Sequence, residues 1–137
     1  RGEPGTMQQA PAYRNPVTQV KDFLSKRVEA CVCAGIPRER LLLDPGFGFG
    51  KTLAHNLALL ADLPVLCGLG LPVLVGMSRK SMIGALTGRE VDERLAGSLA
   101  AAVLAVERGA RLVRVHDVGP TVDALRVVEA IRMAHMD

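Results

Sequence analysis

The sequence predicts an α/β fold that forms the C-terminal part of a TIM (β/α)8 barrel, with three parallel strands and flanking helices. Three short apolar runs alternate with amphipathic segments, and each run ends in polar or glycine-rich residues. Short strands that are apolar on both faces and separated by helices are typical of a parallel sheet with right-handed crossovers. A complete barrel takes about 250 residues. The chain has 137, so we expect one partial domain spanning residues 1–137.

Composition excludes several classes of protein. Apolar residues make up 49% of the chain, which favours a globular core over disorder. The net charge is only +3, the basic residues are scattered, and aromatic residues make up 3%, so no nucleic acid is expected as a partner. The three cysteines lack zinc-type Cys-x2-Cys pairs. They predict small buried thiols in a reducing, cytoplasmic setting, and the absence of a signal-like first segment agrees.

The first half of the chain predicts a helix, a strand and a second helix. Asn15 and Pro16 form a helix start, and Gly35 is the matching stop. Leu41–Leu43 is predicted to be a buried strand that ends at Asp44, where a glycine-rich loop runs to Gly50. The apolar residues at helical spacing are Val17, Val20, Leu24, Val28 and Cys31 in the first helix, and Leu53, Leu57 and Leu60 in the second.

The second half predicts two further strands, at residues 72–76 and 112–115, and three helices. A short helix is expected near Ser81, a longer one from about Asp92 to Gly109, and a last one opening at Pro120. Residues 57–77 contain a single charge, but prolines and glycines interrupt them, so no membrane span is expected. The predicted inward faces are Leu95, Leu99, Val103 and Val106 in the longer helix, and Val122, Leu125, Val128 and Ile131 or Arg132 in the last.

Polar side chains follow all three predicted strands, at the edge where parallel α/β folds bind ligands. Asp44 follows the first strand, and its carboxylate either accepts two N–H bonds from an amidine-like edge, such as that of a pterin or guanine, or caps the turn. Arg79 and Lys80 follow the second strand, beside Ser78 and Ser81 at a predicted helix start. This arrangement favours an anion or carboxylate site over two solvated charges.

The third strand carries Arg114, with His116 at its end. A buried arginine needs an anionic partner, which is either a diphosphate ligand or an ion pair with Asp117 or Glu129.

The loop before Lys51 also resembles a nucleotide-binding P-loop, but Pro45 stands where that motif requires its first glycine. A P-loop nucleotide hydrolase is therefore disfavoured, and the loop is either a flexible turn or shaped for another ligand.

Three motifs resemble those of the dihydropteroate synthase family: LLLDPGFGFGK at residues 41–51, LVGMSRKS at 74–81 and RVHD at 114–117. The opening GTMQ at residues 5–8 and the closing RVVEA at 126–130 also look like that family. The resemblance implies a (β/α)8 barrel that joins p-aminobenzoate to 6-hydroxymethyl-7,8-dihydropterin pyrophosphate, yielding 7,8-dihydropteroate and pyrophosphate. It also implies a role in folate biosynthesis, Mg2+ dependence and inhibition by sulfonamides.

The resemblance assigns roles to individual residues of this chain. Asp44 looks like the pterin-binding carboxylate, and Gly76 lies in a substrate-binding motif. Arg114 and His116 resemble the residues that hold the pyrophosphate. Lys80, which with those two is a predicted catalytic residue, resembles the lysine that reaches both the pterin and the aminobenzoate. The aminobenzoate pocket is predicted to include Phe49 and Ser81.

The resemblance also implies that part of the family's site lies outside this sequence. The family's metal-holding asparagine, and an aspartate and an asparagine of its pterin site, have no counterpart here. We therefore expect a truncated, inactive chain that contributes no metal ligand, with the Mg2+ ligand in a missing N-terminal half. The chain is expected to pair with that half, or to form a homodimer through Asp92–Arg108 and Pro120–Met133. The alternatives are another pterin-binding barrel, such as a methyltetrahydrofolate methyltransferase, and an inactive half-barrel that only associates.

Overall fold

A computed structural model of the chain describes residues 15–134, so the motif at residues 5–8 lies outside the described part. Helix α1 spans Pro16–Cys33. Asn15 caps it, because its side-chain oxygen accepts a hydrogen bond of 3.0 Å from the backbone N–H of Thr18. The predicted start, stop and inward face of this helix are confirmed, except that Cys31 is only half-buried. The buried face consists of Val17, Val20, Leu24 and Val28.

Two helices follow the glycine-rich loop: α2 spans Leu53–Ala61, and the short α3, which the sequence did not predict, spans Leu63–Cys67. The predicted inward face of α2 is partly wrong, because Leu57 is exposed while Asn56 and Leu59 are buried with Leu60. The buried Asn56 side chain bonds the loop that precedes the helix. The amide of Asn56 is therefore hydrogen-bonded although it faces inward.

The sheet has two named strands, β1 at Leu74–Val75 and β2 at Leu112–Val113, which pair in parallel. The first predicted strand is reduced to a single parallel bridge between Leu43 and Val73. A 3-10 turn at Arg38–Arg40 lies just before this segment, and the turn at Asp44 begins immediately after it. Of the three residues between these turns, only Leu43 forms ladder hydrogen bonds, so three full strands are not observed.

Helix α4 spans Ser81–Thr87 and α5 spans Leu95–Glu107. A 3-10 turn at Val91–Glu93 takes up the predicted start of α5, and Gly109 lies just beyond its end as predicted. The predicted inward face of α5 is wrong: Leu95 is exposed and the other three residues are half-buried. Small residues let α5 approach α4 closely, since a Cβ on Gly97 would lie 2.5 Å from Ile83. The residues that face inward are Ser98, Ala101, Ala102 and Ala105.

Helix α6 spans Val118–Ala134 and begins two residues before Pro120. A proline is tolerated in the first turn because N–H groups there have no partner within the helix. Val128 is buried as predicted, but Thr121 is its other buried residue. Val122 and Ile131 are exposed, which contradicts the predicted face.

The core lies between the helices and the two strands, and its most deeply buried large side chains come from the glycine-rich loop, α2, α3 and the β1 segment. Over residues 15–134, no helix is both long and apolar enough to cross a membrane. The side chains with less than 2% exposure are Phe47, Leu59, Leu63, Leu66, Val73 and Val75.

Candidate active site

The loop after the Leu43 bridge is held closed by its own hydrogen bonds. The Asp44 carboxylate accepts a bond of 2.8 Å from the N–H of Gly46. The Lys51 ammonium donates to the carbonyls of Gly46 and Phe49, at 2.8 and 3.0 Å. The buried Asn56 side chain anchors the middle of the loop to α2, because it accepts from the N–H of Gly48 at 2.8 Å. Asp44, itself exposed, is therefore presented on an ordered loop.

Lys80, at the end of the β1 segment, reaches across to this same loop. Its ammonium donates a hydrogen bond to the carbonyl of Phe47 and lies 4.3 Å from the centre of the Phe49 ring. Gly48 leaves room for this side chain, since a Cβ there would lie 3.2 Å from Cδ of Lys80. Phe47 is buried whereas Phe49 is half exposed. The Phe49 ring thus forms an accessible wall beside a lysine ammonium.

The electrostatics of the site are dominated by cations. Burial lowers the pKa of Lys80, and the nearby charge of Arg114 lowers it further, while Asp44 acts in the opposite direction. Burial also lowers the pKa of Lys51, as does the charge of Lys80, and Asp44 again opposes the shift. Three cations and one carboxylate therefore interact at this edge of the sheet. A ligand that combines an anionic group with a polar N–H edge would suit both signs of charge.

Arg114 follows β2 immediately, and its N–H donates to the carbonyl of Val75 at 2.9 Å. It is exposed, so the expectation of a buried arginine is wrong. Its guanidinium lies against Gly76, where a Cβ would come within 2.8 Å of a guanidinium nitrogen. Among the ion pairs of residues 15–134, Asp117 pairs with Arg79 and none involves Arg114. The alternative that Asp117 or Glu129 neutralises Arg114 is therefore wrong.

His116 is held by the preceding strand end. The buried Ser78 hydroxyl accepts a bond of 3.2 Å from the backbone N–H of His116 and lies 3.0 Å from its ring Nδ1. Ser81 is exposed at the first position of α4. The structure thus brings Phe49 and Lys80 into direct contact at the loop that also carries Asp44. It places Gly76 against Arg114, while Ser81 and His116 lie on the adjoining loops.

Arg79 was expected to join Lys80 in binding an anion, but its guanidinium is bound elsewhere. Two of its nitrogens contact the two carboxylate oxygens of Asp117 at 2.7 and 3.1 Å. This hydrogen-bonded pair raises the pKa of Arg79 and lowers that of Asp117.

Neither Asn56 nor the role of Lys51 in closing the loop is predicted from the sequence. A polar residue within the apolar α2 was the available signal for Asn56. For Lys51, the sequence indicates only a position in a P-loop-like motif. The pairing of Arg79 with Asp117 has no signal in the spacing, because the two residues are 38 positions apart.

Within residues 15–134, no three or more histidine, cysteine, aspartate or glutamate side chains come close enough together to hold a metal ion.

The cysteines are free, and the prediction of buried thiols is wrong for Cys33, which is exposed, while Cys31 and Cys67 are half-buried. Burial raises the pKa of the Cys67 thiol.

A family model described as pterin binding enzyme matches residues 1–116. The chain therefore belongs to the pterin-binding enzyme family. Within that family, it is 55% identical over 130 residues to dihydropteroate synthase of Escherichia coli, covering 95% of this chain and 46% of the relative. It is 52% identical over 130 residues to the Haemophilus influenzae synthase, with 95% and 47% coverage. The chain thus spans about half the length of the curated relatives it matches.

Solved structures agree with this relationship. A Yersinia pestis dihydropteroate synthase in complex with a sulfonamide drug superposes with a TM-score of 0.95 at 51% identity, covering 98% of this chain and 49% of that one. The Xanthomonas albilineans synthase in complex with 7,8-dihydropteroate gives 0.89 at 57% identity, with 91% and 48% coverage. The particular enzymes that this chain resembles are therefore dihydropteroate synthases.

Proposed function

We propose that this chain carries one side of a dihydropteroate synthase site in folate biosynthesis. The reaction would condense 6-hydroxymethyl-7,8-dihydropterin pyrophosphate with p-aminobenzoate. The observation that carries this proposal is that Lys80 contacts the loop that begins at Asp44, while the Arg114 guanidinium lies against Gly76 at the same edge of the sheet. The named relatives support a synthase over the other pterin-binding barrels.

Asp44 would bind the pterin. Its carboxylate has about four lone-pair positions and accepts one bond within its own loop, from Gly46. Capacity therefore remains for the 2-amino group and the neighbouring ring N–H of a pterin, which present two parallel donors. The Lys80 ammonium would reach the pterin ring from the opposite side of the loop.

The cations would stabilise the leaving group. As the bond between the pterin methylene carbon and the pyrophosphate oxygen breaks, negative charge develops on the pyrophosphate, and Lys80, Arg114 and His116 would bind it. Preorganised charges of this kind often provide the largest catalytic contribution. The aminobenzoate nitrogen would then attack the cationic methylene and lose a proton, and no strong base is needed. Phe49 and Ser81 would line the aminobenzoate pocket, where Ser81 faces its carboxylate.

The proposal also includes a second half-barrel, a Mg2+ ligand within that half, and a cytoplasmic location. The chain would be the C-terminal half of a (β/α)8 barrel, a single partial domain of residues 1–137 whose other half completes the site and supplies the Mg2+ ligand. A cytoplasmic location belongs to the same proposal, supported by three free cysteines. Protease protection in fractionated cells would measure it.

A homodimer would bury the exposed apolar side chains of the last helices. Four of these side chains are more than 40% exposed: Val118, Val127 and Ile131 on α6, and Leu104 on α5. Exposed apolar surface of this kind favours association with another chain. Light scattering should give twice the mass of the chain for the wild type. It should give the monomer mass for Ile131→Glu, and a monomeric wild type would contradict the dimer.

Calorimetric titration of the chain with the dihydropterin pyrophosphate and Mg2+ tests the pterin role directly. We expect binding that Asp44→Asn weakens by at least about tenfold, or roughly 1.4 kcal/mol, because the amide replaces one acceptor with a donor. Asp62→Asn, a change at another exposed aspartate, is the matched control and should bind like the wild type. Equal affinity of the wild type and Asp44→Asn, or binding of ATP in preference to the pterin, would contradict the proposal.

A further inference from the structure

The backbone at Arg79 is held in an unusual conformation. Its φ angle is +56°, in the left-handed region that residues other than glycine rarely adopt. Such a conformation persists only when the surrounding structure enforces it, and it is found preferentially at functional sites.

Three neighbours hold Arg79 in place. Its N–H donates to the buried Ser98 hydroxyl of α5 at 2.9 Å, and its carbonyl accepts from the Arg94 guanidinium at 2.9 Å. Its side chain forms the two-bond contact with Asp117. Arg94 in turn packs against Gly84, where any Cβ would collide with its guanidinium. The N–H, the carbonyl and the side chain of Arg79 are therefore all fixed.

The contact between the Arg79 and Asp117 side chains joins the two loops that carry the proposed cations. Arg79 directly precedes Lys80, and Asp117 directly follows His116. Ser78 adds a second link between the same loops, because its hydroxyl accepts from the N–H of His116. A shift of one loop relative to the other would change the separation of the Lys80 ammonium and the His116 ring.

We propose that Arg79 and Asp117 are positioning residues that fix Lys80 relative to His116 and so set the geometry of the pyrophosphate site. Arg79 and Asp117 act through their sequence neighbours Lys80 and His116, because the charged groups of Arg79 and Asp117 are bound to each other. This inference rests on the proposed function as far as the ligand is concerned. The loop linkage itself can be measured without any ligand.

A second ion pair of the chain provides a matched control. Arg126 and Asp123 on α6 are joined by a single 3.5 Å contact, and both side chains are at least three-quarters exposed. In the Arg79–Asp117 pair, the exposures are 33% and 20%. Asp117→Asn and Asp123→Asn thus make the same chemical change, with and without a link to the proposed site.

The test uses the full chain and two readouts. Amide hydrogen exchange measured by NMR should accelerate about tenfold or more at Arg79 and Lys80 in Asp117→Asn, since local opening becomes easier, and should stay unchanged in Asp123→Asn. Affinity for the dihydropterin pyrophosphate, measured by calorimetry, should fall about tenfold in Asp117→Asn and recover at least partly in Asp117→Glu. Ser98→Ala is the substitute variant in case Asp117→Asn fails to fold. It removes only the bond to the Arg79 N–H, and amide exchange at Arg79 and Lys80 should accelerate in it as well.

Wild-type exchange at Arg79 and Lys80 in both Asp117→Asn and Ser98→Ala would overturn the inference. Wild-type affinity in a folded Asp117→Asn protein that shows faster exchange would overturn it as well, because the linkage would then not set the site geometry. Failure of the proposed function has a different signature. In that case, the wild-type chain itself does not bind the pterin, while the exchange difference between Asp117→Asn and Asp123→Asn remains.

Discussion

Asn56 provides the sharpest test of how the glycine-rich loop after Asp44 is held. Its side chain is only 3% exposed, accepts a bond from the N–H of Gly48 and donates one of 2.9 Å to the carbonyl of Thr52. Asn56→Ala removes both side-chain bonds, although the Thr52 carbonyl keeps its bond from the backbone N–H of residue 56. At roughly 1 kcal/mol for each bond, the expected loss of unfolding free energy is about 2 kcal/mol.

Urea unfolding measures this loss. With a slope of about 1.5 kcal/mol per molar, a loss of about 2 kcal/mol lowers the midpoint by roughly 1.3 M. Asn15→Ala is the matched control, because it removes a single exposed capping bond to Thr18 and should cost about 1 kcal/mol. Asn56→Asp keeps the acceptor for Gly48 and should lie between wild type and Asn56→Ala. A midpoint for Asn56→Ala within about 0.3 M of wild type would mean that these two bonds do not stabilise the loop.

Three further outcomes follow from contacts around the site and the core. Gly76→Ala should displace the Arg114 guanidinium, since its Cβ would lie 2.8 Å from a guanidinium nitrogen, and calorimetry should find weaker pyrophosphate binding with little change in the unfolding midpoint. Arg114→Gln should raise the pKa of Lys80 in an NMR titration, because burial would still lower that pKa but the neighbouring positive charge would be gone; an unchanged or lower pKa would contradict the described electrostatics. Gly109→Ala should destabilise the fold by about 1–2 kcal/mol in urea unfolding, because φ is +103° there and the new Cβ would lie 3.1 Å from the Cys67 sulfur; wild-type stability would argue against this.

The sequence was most informative where one strong local signal determines the structure. Asn15 followed by Pro16, with apolar residues at helical spacing, predicted α1 because capping and burial on one face act together. The positions of β1 and β2 were also predictable, since short apolar runs between helices have few alternatives in a parallel sheet. Their lengths were not, because the turns that shorten them depend on hydrogen bonds formed only in the folded chain.

Inward faces were predictable only where the core needed large side chains. Hydrophobic size predicted an inward Leu95 and Leu99 in α5, but close approach to α4 selects small residues, and Ser98 is inside because it bonds Arg79. In α2, the inward Asn56 is explained in the same way by its contact with the loop. Periodicity cannot reveal such polar contacts between distant segments, since it registers only the average apolar face of a helix.

In the candidate site, too, local signals were predictable from the sequence, whereas contacts between distant segments were not. Asp44, Lys80 and Arg114 could be predicted because parallel strands present their carboxyl ends at one edge. Whether Arg79 or Lys80 faces the ligand could not be decided from two adjacent cations. Asp117, 38 residues away from Arg79, binds its guanidinium and leaves Lys80 directed toward the loop that carries Asp44.

We propose that this chain supplies the pterin-binding carboxylate and the leaving-group cations of a dihydropteroate synthase. The most direct test is an enzyme in which residues 1–137 replace the matching part of the Escherichia coli relative, assayed for 7,8-dihydropteroate formed from the two substrates. We predict an active enzyme whose rate falls at least tenfold, or about 1.4 kcal/mol in activation free energy, in Lys80→Ala. A folded hybrid that forms no dihydropteroate, or a Lys80→Ala hybrid with unchanged kinetics, would rule out these roles for the chain.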